Sequence, residues 1–261
     1  AIGAADNAST TTVDRLAAAA GNLGLFVTET AGLELGQTSA IDVNRVGADG
    51  TSAATTDGAT QDDVTSTGHL VVTVTTGDLT SIATTGAVTA TGATNGNVLL
   101  DAIAGAVVLN DVVESTTGSI SVDAGTSVNL NAGANLTTSA MSQTVDVNAT
   151  STLTMDATTT VTTNNGDVQL AAGMNLVLGA VAAGTGDVAV LATAGSVTDA
   201  GSATNVSAAS VMIEAGVGIG TGADAIETSV DTLAALATSG GIFIGETNAV
   251  TGDTVTTSVN R

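Results

Sequence analysis

The sequence predicts an all-β fold, specifically a right-handed parallel β-helix (β-solenoid) of about ten to twelve coils. Three observations indicate this fold. Apolar residues alternate with polar ones in short runs, the runs recur at a regular interval of about eight residues, and the interior lacks bulky side chains. Apolar residues make up 43% of the 261-residue chain, but aromatic residues only 1%, so Ala, Val, Leu and Ile must fill a narrow core. Residues 1–261 are therefore expected to form a single rod.

From residue 68 onward, β-branched residues alternate with polar ones in runs such as HLVVTVTT (69–76) and GSISVDAG (118–125). An antiparallel sandwich could share this spacing, but its hairpins would normally show Asn-Gly or Asp-Gly turns and its core some aromatic residues. Coils of three strands would take roughly 20–25 residues each, which gives a rod on the order of 50 Å long at about 4.8 Å per coil. In the clearest stretch the leading apolar residues are Ile120, Val128, Leu136, Val145, Leu153, Val161, Val168 and Leu176.

Two segments depart from this rhythm. Residues 47–67 lack an apolar period and predict a long loop or protrusion from one coil, where solenoids tolerate insertions. The segment VDRLAAAA at 13–20 has Thr12 before it and Gly21 after it, which favours a single helical turn. A coil with Val13 and Leu16 turned inward is an equal alternative.

The chain carries a long internal duplication. Residues 230–247 repeat 13–30 with ten of eighteen positions identical, and the alignment extends so that 218–261 repeats 1–45 with a module period of about 217 residues. Either the native polypeptide contains further modules, or separate chains stack head to tail through their terminal coils. The residues expected at such an assembly interface are Ile2, Val13, Leu16, Phe26, Val230, Leu233 and Phe243.

The charge balance excludes some partners. The formal net charge is −22, with three arginines and no lysine, so the clusters of basic residues that bind nucleic acid or an anionic membrane surface are absent. No apolar run is long enough for a membrane helix, so we expect no membrane insertion. A strongly acidic surface favours a secreted, extracellular or cell-surface protein.

Acidic residues also suggest a cation site. Asp49, Asp57, Asp62 and Asp63 fall in or near the 47–67 segment and could gather around Ca²⁺, the only cofactor that the sequence suggests. Stacked Gly-Asp corners could also hold Ca²⁺, although an Asp in a turn commonly caps its own backbone. The EF-hand spacing is absent.

Catalysis is not expected. His69 is the only histidine and there is no cysteine, so a Ser/His/Asp triad could be built only around His69, which the pattern places at a coil corner.

Threonine is abundant, and flat Thr rows on a solenoid face can order water, as in ice-binding solenoids. Irregular Thr spacing favours ordinary exposed strands instead.

The runs at 118–140 (GSISVDAGTSVNLNAGANLTTSA) and 166–181 (GDVQLAAGMNLVLGAV) resemble the repeat regions of filamentous-haemagglutinin-type exoproteins and giant repetitive bacterial surface proteins. This resemblance covers roughly residues 68–250 and implies a secreted parallel β-helix used in an adhesin, filament or surface layer. The function expected is a structural building block of an extracellular filament, sheath or surface layer, with copies of itself or adjacent modules as partners. The alternative is an adhesin or ice-binding module of a large exoprotein.

Overall fold

A computed structural model describes residues 1–57, 60–94, 96–201 and 204–252. These residues form strands and no helix, and three parallel sheets stack as a β-solenoid of about ten coils. The predicted all-β parallel solenoid is therefore confirmed. Each coil contributes one strand or bridge to each of three faces, in the order first, second and third face.

The first face contains eleven strands among the described residues. They are β1 (Ser9–Thr11), β4 (Leu25–Glu29), β9 (Leu70–Val74), β12 (Val98–Ala102), β15 (Ile120–Ala124), β18 (Val145–Ala149), β21 (Val168–Ala172), β24 (Asp187–Ala192), β27 (Ser210–Ala215), β29 (Thr232–Ala237) and β31 (Thr251–Gly252).

The second face has eight strands in the same part of the chain, and single bridges from Val197 to Ile219 and from Ile219 to Ile242 extend it. Its strands are β2 (Arg15–Leu16), β5 (Leu33–Leu35), β10 (Leu79–Ser81), β13 (Val107–Leu109), β16 (Val128–Leu130), β19 (Leu153–Met155), β22 (Leu176–Leu178) and β25 (Val197–Asp199).

The third face has ten strands within the described ranges. They are β3 (Ala18–Ala20), β8 (Val64–Ser66), β11 (Val88–Ala90), β14 (Val113–Ser115), β17 (Leu136–Met141), β20 (Thr160–Asn164), β23 (Ala180–Ala182), β26 (Val206–Ser207), β28 (Ile226–Ser229) and β30 (Ile244–Glu246).

The core is a set of columns in which like residues stack from coil to coil. The eight leading apolar residues predicted from the spacing, from Ile120 to Leu176, are all buried and lie on successive faces. At the last inward position of the first face, six successive coils after Val74 of β9 form a column of alanines. Its members are Ala102, Ala124, Ala149, Ala172, Ala192 and Ala215. Small side chains suit this position because the chain turns a corner directly after it.

Polar side chains at the corners accept hydrogen bonds from the backbone of the next coil. Asn97 Oδ1 accepts from the Ser119 amide at 3.0 Å, and Asp167 Oδ1 accepts from the Asp187 amide at 2.8 Å. Asp78 Oδ1 accepts from the Ala106 amide at 2.8 Å. Backbone amides that are buried or lie at a corner need such acceptors. Asp78 and Asp167, each preceded by a glycine, therefore cap the backbone of the next coil.

The excursion from the solenoid differs from the predicted loop at 47–67. Strands β6 (Ile41–Val46) and β7 (Ser52–Asp57) form an antiparallel hairpin between β5 and β8. All six residues of β6 are exposed, so this strand is not covered by the core of the solenoid. Val64, inside the predicted loop, is instead fully buried as part of the third face.

The helical interpretation of residues 13–20 is wrong, because this segment forms strands β2 and β3 on two different faces. Leu16 packs against the core, as the coil alternative predicts, but Val13 remains 42% exposed. Val13 lies at the corner between β1 and β2, where its amide donates to the Glu29 carboxylate. The backbone at this corner therefore turns Val13 partly outward.

Candidate assembly site at the duplicated coils

The two copies of the sequence duplication share part of their local pairing, although residues 15–20 form two strands on two faces and their counterparts 232–237 form the single strand β29. In the first copy, Ile2 bridges Leu25 and β1 pairs with β4 so that Ser9 lies opposite Val27. Adding 217 to each number gives the pairs found in the second copy. They are Ile219 with Ile242, and Ile226 with Ile244.

One glycine of each copy has the same backbone requirement. Gly3 has φ of 68° and Gly220 has φ of 60°, in the left-handed region that L-residues rarely adopt. A Cβ atom on Gly3 would collide with the carbonyl oxygen of Phe26, and one on Gly220 would collide with that of Phe243. The duplication therefore preserves a close approach of two coils and is more than a similarity of composition.

A buried carboxylate joins the two coils of the first copy. Glu29 Oε2 accepts from the Thr11 hydroxyl at 2.7 Å and from the Val13 amide at 3.0 Å. Its Oε1 accepts from the amides of Thr30 at 2.8 Å and Ala31 at 3.2 Å. We call Glu29 and these four donors the first carboxylate clamp.

The second copy contains the equivalent clamp. Glu246 Oε2 accepts from the Thr228 hydroxyl at 2.7 Å, and Oε1 accepts from the Val230 amide at 3.3 Å. Oε1 also accepts from the amides of Thr247 and Asn248, at 2.9 and 3.2 Å. The alignment of 13–30 with 230–247 matches Glu29 with Glu246 but indicates no role for either, because two of the four donors of each carboxylate come from a coil 16 to 18 residues earlier.

The hydrogen bonds determine the titration of both carboxylates. Burial would raise the pKa of Glu29, but the Thr11 hydroxyl and the backbone amides of Val13, Ala31 and Thr30 together hold that pKa below its ordinary value of 4.5. Burial would also raise the pKa of Glu246, and its own hydroxyl and amide donors likewise lower it overall. A lowered folded-state pKa stabilises the protein at pH above the unfolded value, and this stabilisation is lost as the pH falls through the folded pKa.

We expect Glu29→Gln to lower the free energy of unfolding by about 2 kcal/mol at pH 7, because an amide cannot accept all four hydrogen bonds. The difference from wild type should shrink below about pH 4.5, where the wild-type carboxylate protonates. Thermal unfolding followed by circular dichroism at pH 7 and pH 3.5 would measure both effects.

Glu34→Gln is the matched control for the carboxylate clamp. Glu34 is paired with Arg15 at 2.7 Å, but both side chains are nearly half exposed. An exposed ion pair contributes at most about 1 kcal/mol. An equal loss of stability in the two variants at pH 7 would contradict the role assigned to the clamp.

The two copies differ in what covers them. Phe26 and Leu33 of the first copy are 9% and 2% exposed, because the following coil, with β9 and β10, stacks on theirs. The matching residues of the second copy are Phe243 and Val250, which are 44% and 43% exposed. Ile242, the counterpart of the fully buried Leu25, is 45% exposed. Among the described residues, no coil stacks on this edge of the second copy, so its apolar side chains are uncovered there.

The predicted interface residues divide between this edge and the core. Phe243 lies on the uncovered edge, whereas Phe26 and Val230 are buried within the rod. Ile2 and Leu233 are partly buried and pack against the core, as Leu16 does. Val13 lies exposed at the first carboxylate clamp. Of the seven, Phe243 is therefore the residue available to another coil in the part of the chain described.

Three of the four predicted calcium ligands, Asp49, Asp62 and Asp63, have separate hydrogen-bond partners and form no common cluster. Asp49 lies in the hairpin turn and Thr51 donates to it, lowering its pKa through the hydroxyl and the amide. Asp62 accepts from the Gln37 side chain and Asp63 from the Ala87 amide. The side chain of Asp57 lies outside what the structure describes. Among the described residues, no group of three or more His, Asp or Glu side chains is arranged to hold a metal ion.

A different acidic pair lies on the first face. Asp101 and Asp123 occupy neighbouring strands at the same register, with Asn148 next in the column. Burial raises the pKa of Asp101, and the Asp123 charge adds to the rise. A groove of about 450 Å³ adjoins the pair, and its lining includes Val71, Asn97, Leu99, Ser121, Asp123 and Gln143. The sequence did not predict this pair because the two residues are separated by a full coil.

The third face carries one outward threonine in several successive coils. Thr65 lies beside Thr89, and Thr137 lies beside Thr162, but Glu114 occupies the position between these two pairs. A charged residue therefore interrupts the Thr row at its centre.

His69 is half-buried at the corner before β9. Its carbonyl oxygen accepts from the Leu25 amide at 2.8 Å, and its ring centroid is 6.4 Å from that of Phe26.

Comparison with known proteins returned no match: no family model fits the chain, and no curated protein or solved structure is significantly similar to it. Within the described ranges there is also no helix long and apolar enough to cross a membrane.

Proposed function

We propose that this chain is a structural rod element that is extended by stacking of coils, either onto copies of itself or onto adjacent modules of the same polypeptide. One observation carries the proposal. Phe243 and Val250 of the second copy are uncovered, while their counterparts in the first copy are buried under another coil. A further coil on the edge formed by β30 and β31 would bury these side chains in the same way.

Backbone pairing supports the same arrangement. Strands β30 and β31 each have one paired neighbour among the described residues and leave their other edge available. Unpaired edges of parallel strands are templates for another strand. Burial of apolar side chains and backbone pairing would thus act together at one junction, and a contact between opposite ends of a rod propagates into a filament.

The proposed setting is a secreted or cell-surface filament, sheath or surface layer, such as those formed by filamentous-haemagglutinin-type exoproteins, which the repeat runs resemble. The charge of −22 supports an exposed, highly soluble surface and argues against nucleic acid as a partner. We propose no catalytic role.

Negative-stain electron microscopy of the full chain, with and without EDTA, tests the proposal. Filaments of uniform width are expected at high protein concentration, since the junction repeats the coil stacking of the rod itself. Loss of filaments in EDTA alone would add a divalent cation to the junction. Discrete short rods in both conditions would contradict end-to-end stacking between free chains and leave either adjacent modules of one polypeptide or the adhesin or ice-binding alternative.

A further inference from the structure

The groove of about 450 Å³ on the first face combines apolar and acidic side chains. Val71 and Leu99 point outward from β9 and β12 and are half-buried, so the core of their own rod does not cover them. Asp123 lines the same groove, and Asp101 lies beside it at the same register of the neighbouring strand. Burial raises the pKa of Asp101 and the Asp123 charge adds to the rise, so a cation brought to this pair from outside would relieve the repulsion.

One side of the β6–β7 hairpin carries complementary groups. Side chains alternate along a strand, so Ile41, Val43 and Arg45 of β6 lie on the same side of the hairpin. Ala53 of β7 pairs with Arg45 and shares that side, whereas Asp42 lies on the other. Ile41 is 65% exposed, and Arg45 is an exposed member of the three arginines in a chain without lysine. This side, which we call the docking side, therefore offers two apolar side chains and one cation.

The hairpin and the groove lie on opposite sides of the rod. The hairpin leaves the solenoid between β5 on the second face and β8 on the third. In a coil with three faces, the corner between the second and third faces is opposite the first face, where the groove lies. A hairpin that projects from this corner points away from the groove of its own rod and toward the first face of a parallel neighbour.

We propose that the docking side of the hairpin of one chain binds in the first-face groove of a second copy, so that parallel rods join side by side. The apolar side chains of the hairpin would pack against the apolar walls of the groove, while the Arg45 guanidinium meets the carboxylates of Asp101 and Asp123. Each rod would contribute its hairpin on one side and its groove on the opposite side. Such a contact is heterologous and continues from rod to rod, which builds a flat layer and not a closed dimer.

The charge of the chain makes this contact selective. Two rods that each carry a charge of −22 repel each other along most of their surface, so lateral approach is favourable where a cation meets carboxylates. A hairpin with strands of six residues is about 20 Å long and covers less area than a standard interface of about 1,600 Å². A single contact is therefore weak, and its test must trap neighbours that are only transiently bound.

Disulfide trapping between two cysteine variants tests the lateral contact, since the chain contains no cysteine of its own. One chain carries Ala53→Cys on the docking side, and a second chain, distinguished by a tag, carries Ser121→Cys in the groove. Neither substitution removes a group that the contact uses. In the matched control the tagged chain carries Ser139→Cys on the third face, where the serine is more exposed than Ser121. Circular dichroism of each variant provides the folding control.

The two tagged chains should react at different rates with the hairpin cysteine. The mixed disulfide with Ser121→Cys should form about tenfold faster than that with Ser139→Cys, because the groove is occupied by the hairpin before oxidation. Greater exposure favours the control in random collisions, so accessibility cannot produce this preference. Equal rates for the two tagged chains, or a faster reaction of the control, would overturn the proposal.

Reversal of one charge provides the second measurement. Arg45→Glu in the Ala53→Cys chain should remove the preference for the groove, because the hairpin would then place a carboxylate against the acidic pair. A preference that survives Arg45→Glu would also overturn the proposal. Neither cysteine lies at the uncovered edge of Phe243, so the result does not depend on whether rods stack end to end.

Discussion

Phe243→Asp is expected to abolish end-to-end assembly while leaving single rods folded. Phe243 is 44% exposed at the uncovered edge, and Phe26, its counterpart in the covered copy, is 9% exposed. Stacking a coil on the variant would bury an uncompensated carboxylate, which costs about 3 kcal/mol or more. The protein concentration needed for assembly should therefore rise by more than about 100-fold. Sedimentation velocity and electron microscopy over a concentration series would measure the change.

Ile103→Asp is the matched control for the edge variant. Ile103 is an apolar residue with 57% exposure, but it follows β12 at a corner in the middle of the rod. The substitution adds the same charge without affecting the uncovered edge, so filaments should form at the wild-type concentration. Assembly that is lost in both variants, or in neither, would show that the edge at Phe243 is not the junction.

Leu136→Ala should produce the largest loss of stability among conservative substitutions. Leu136 is fully buried in β17, in the narrow interior where neighbouring columns cannot move to fill a cavity. Truncation of a buried leucine costs about 2–5 kcal/mol. Each coil is stabilised mainly by its two neighbours, so a weakened central coil should separate the rod into less stable halves. Guanidinium unfolding followed by circular dichroism is the suitable measurement, since the chain has no tryptophan.

Leu236→Ala makes the same chemical change on the surface. Leu236 lies in β29 and is 58% exposed, pointing away from the core. A surface substitution of this kind changes stability by no more than about 0.5 kcal/mol. Equal unfolding midpoints for the two leucine variants would contradict the assignment of the core columns.

The uncovered edge could not be read from the sequence, although the duplication itself could. Ten identities in eighteen positions matched Phe26 with Phe243, but whether a residue is covered depends on the coil that stacks next to it. The carboxylate clamps were missed for a similar reason. Glu29 and Thr11 are 18 residues apart and meet only when two coils stack.

The hairpin boundaries were also beyond sequence reasoning. The strand β7, SAATTD, contains no alternation of apolar and polar residues. The hairpin extends away from the core, so neither side of this strand is required to be apolar. In contrast, Val64 resumes the solenoid and is fully buried. A predicted loop of 47–67 therefore combined half of a hairpin with β8, the third-face strand of the same coil.

By itself, the sequence determined that the protein is a narrow parallel solenoid and that its end coils repeat. Three sequence features follow from stacking small apolar side chains in columns. They are the period of two along the strands, the interval of eight residues between strands and the near absence of aromatic residues. Only the tertiary structure decided which face each copy occupies and which edge is uncovered. The physical reason is that corners use different numbers of residues, as the spacing from Leu70 to Val98 and then to Ile120 illustrates, with 28 and 22 residues. These differences accumulate along the chain, so the face on which a residue lies follows only from the stacking of the coils.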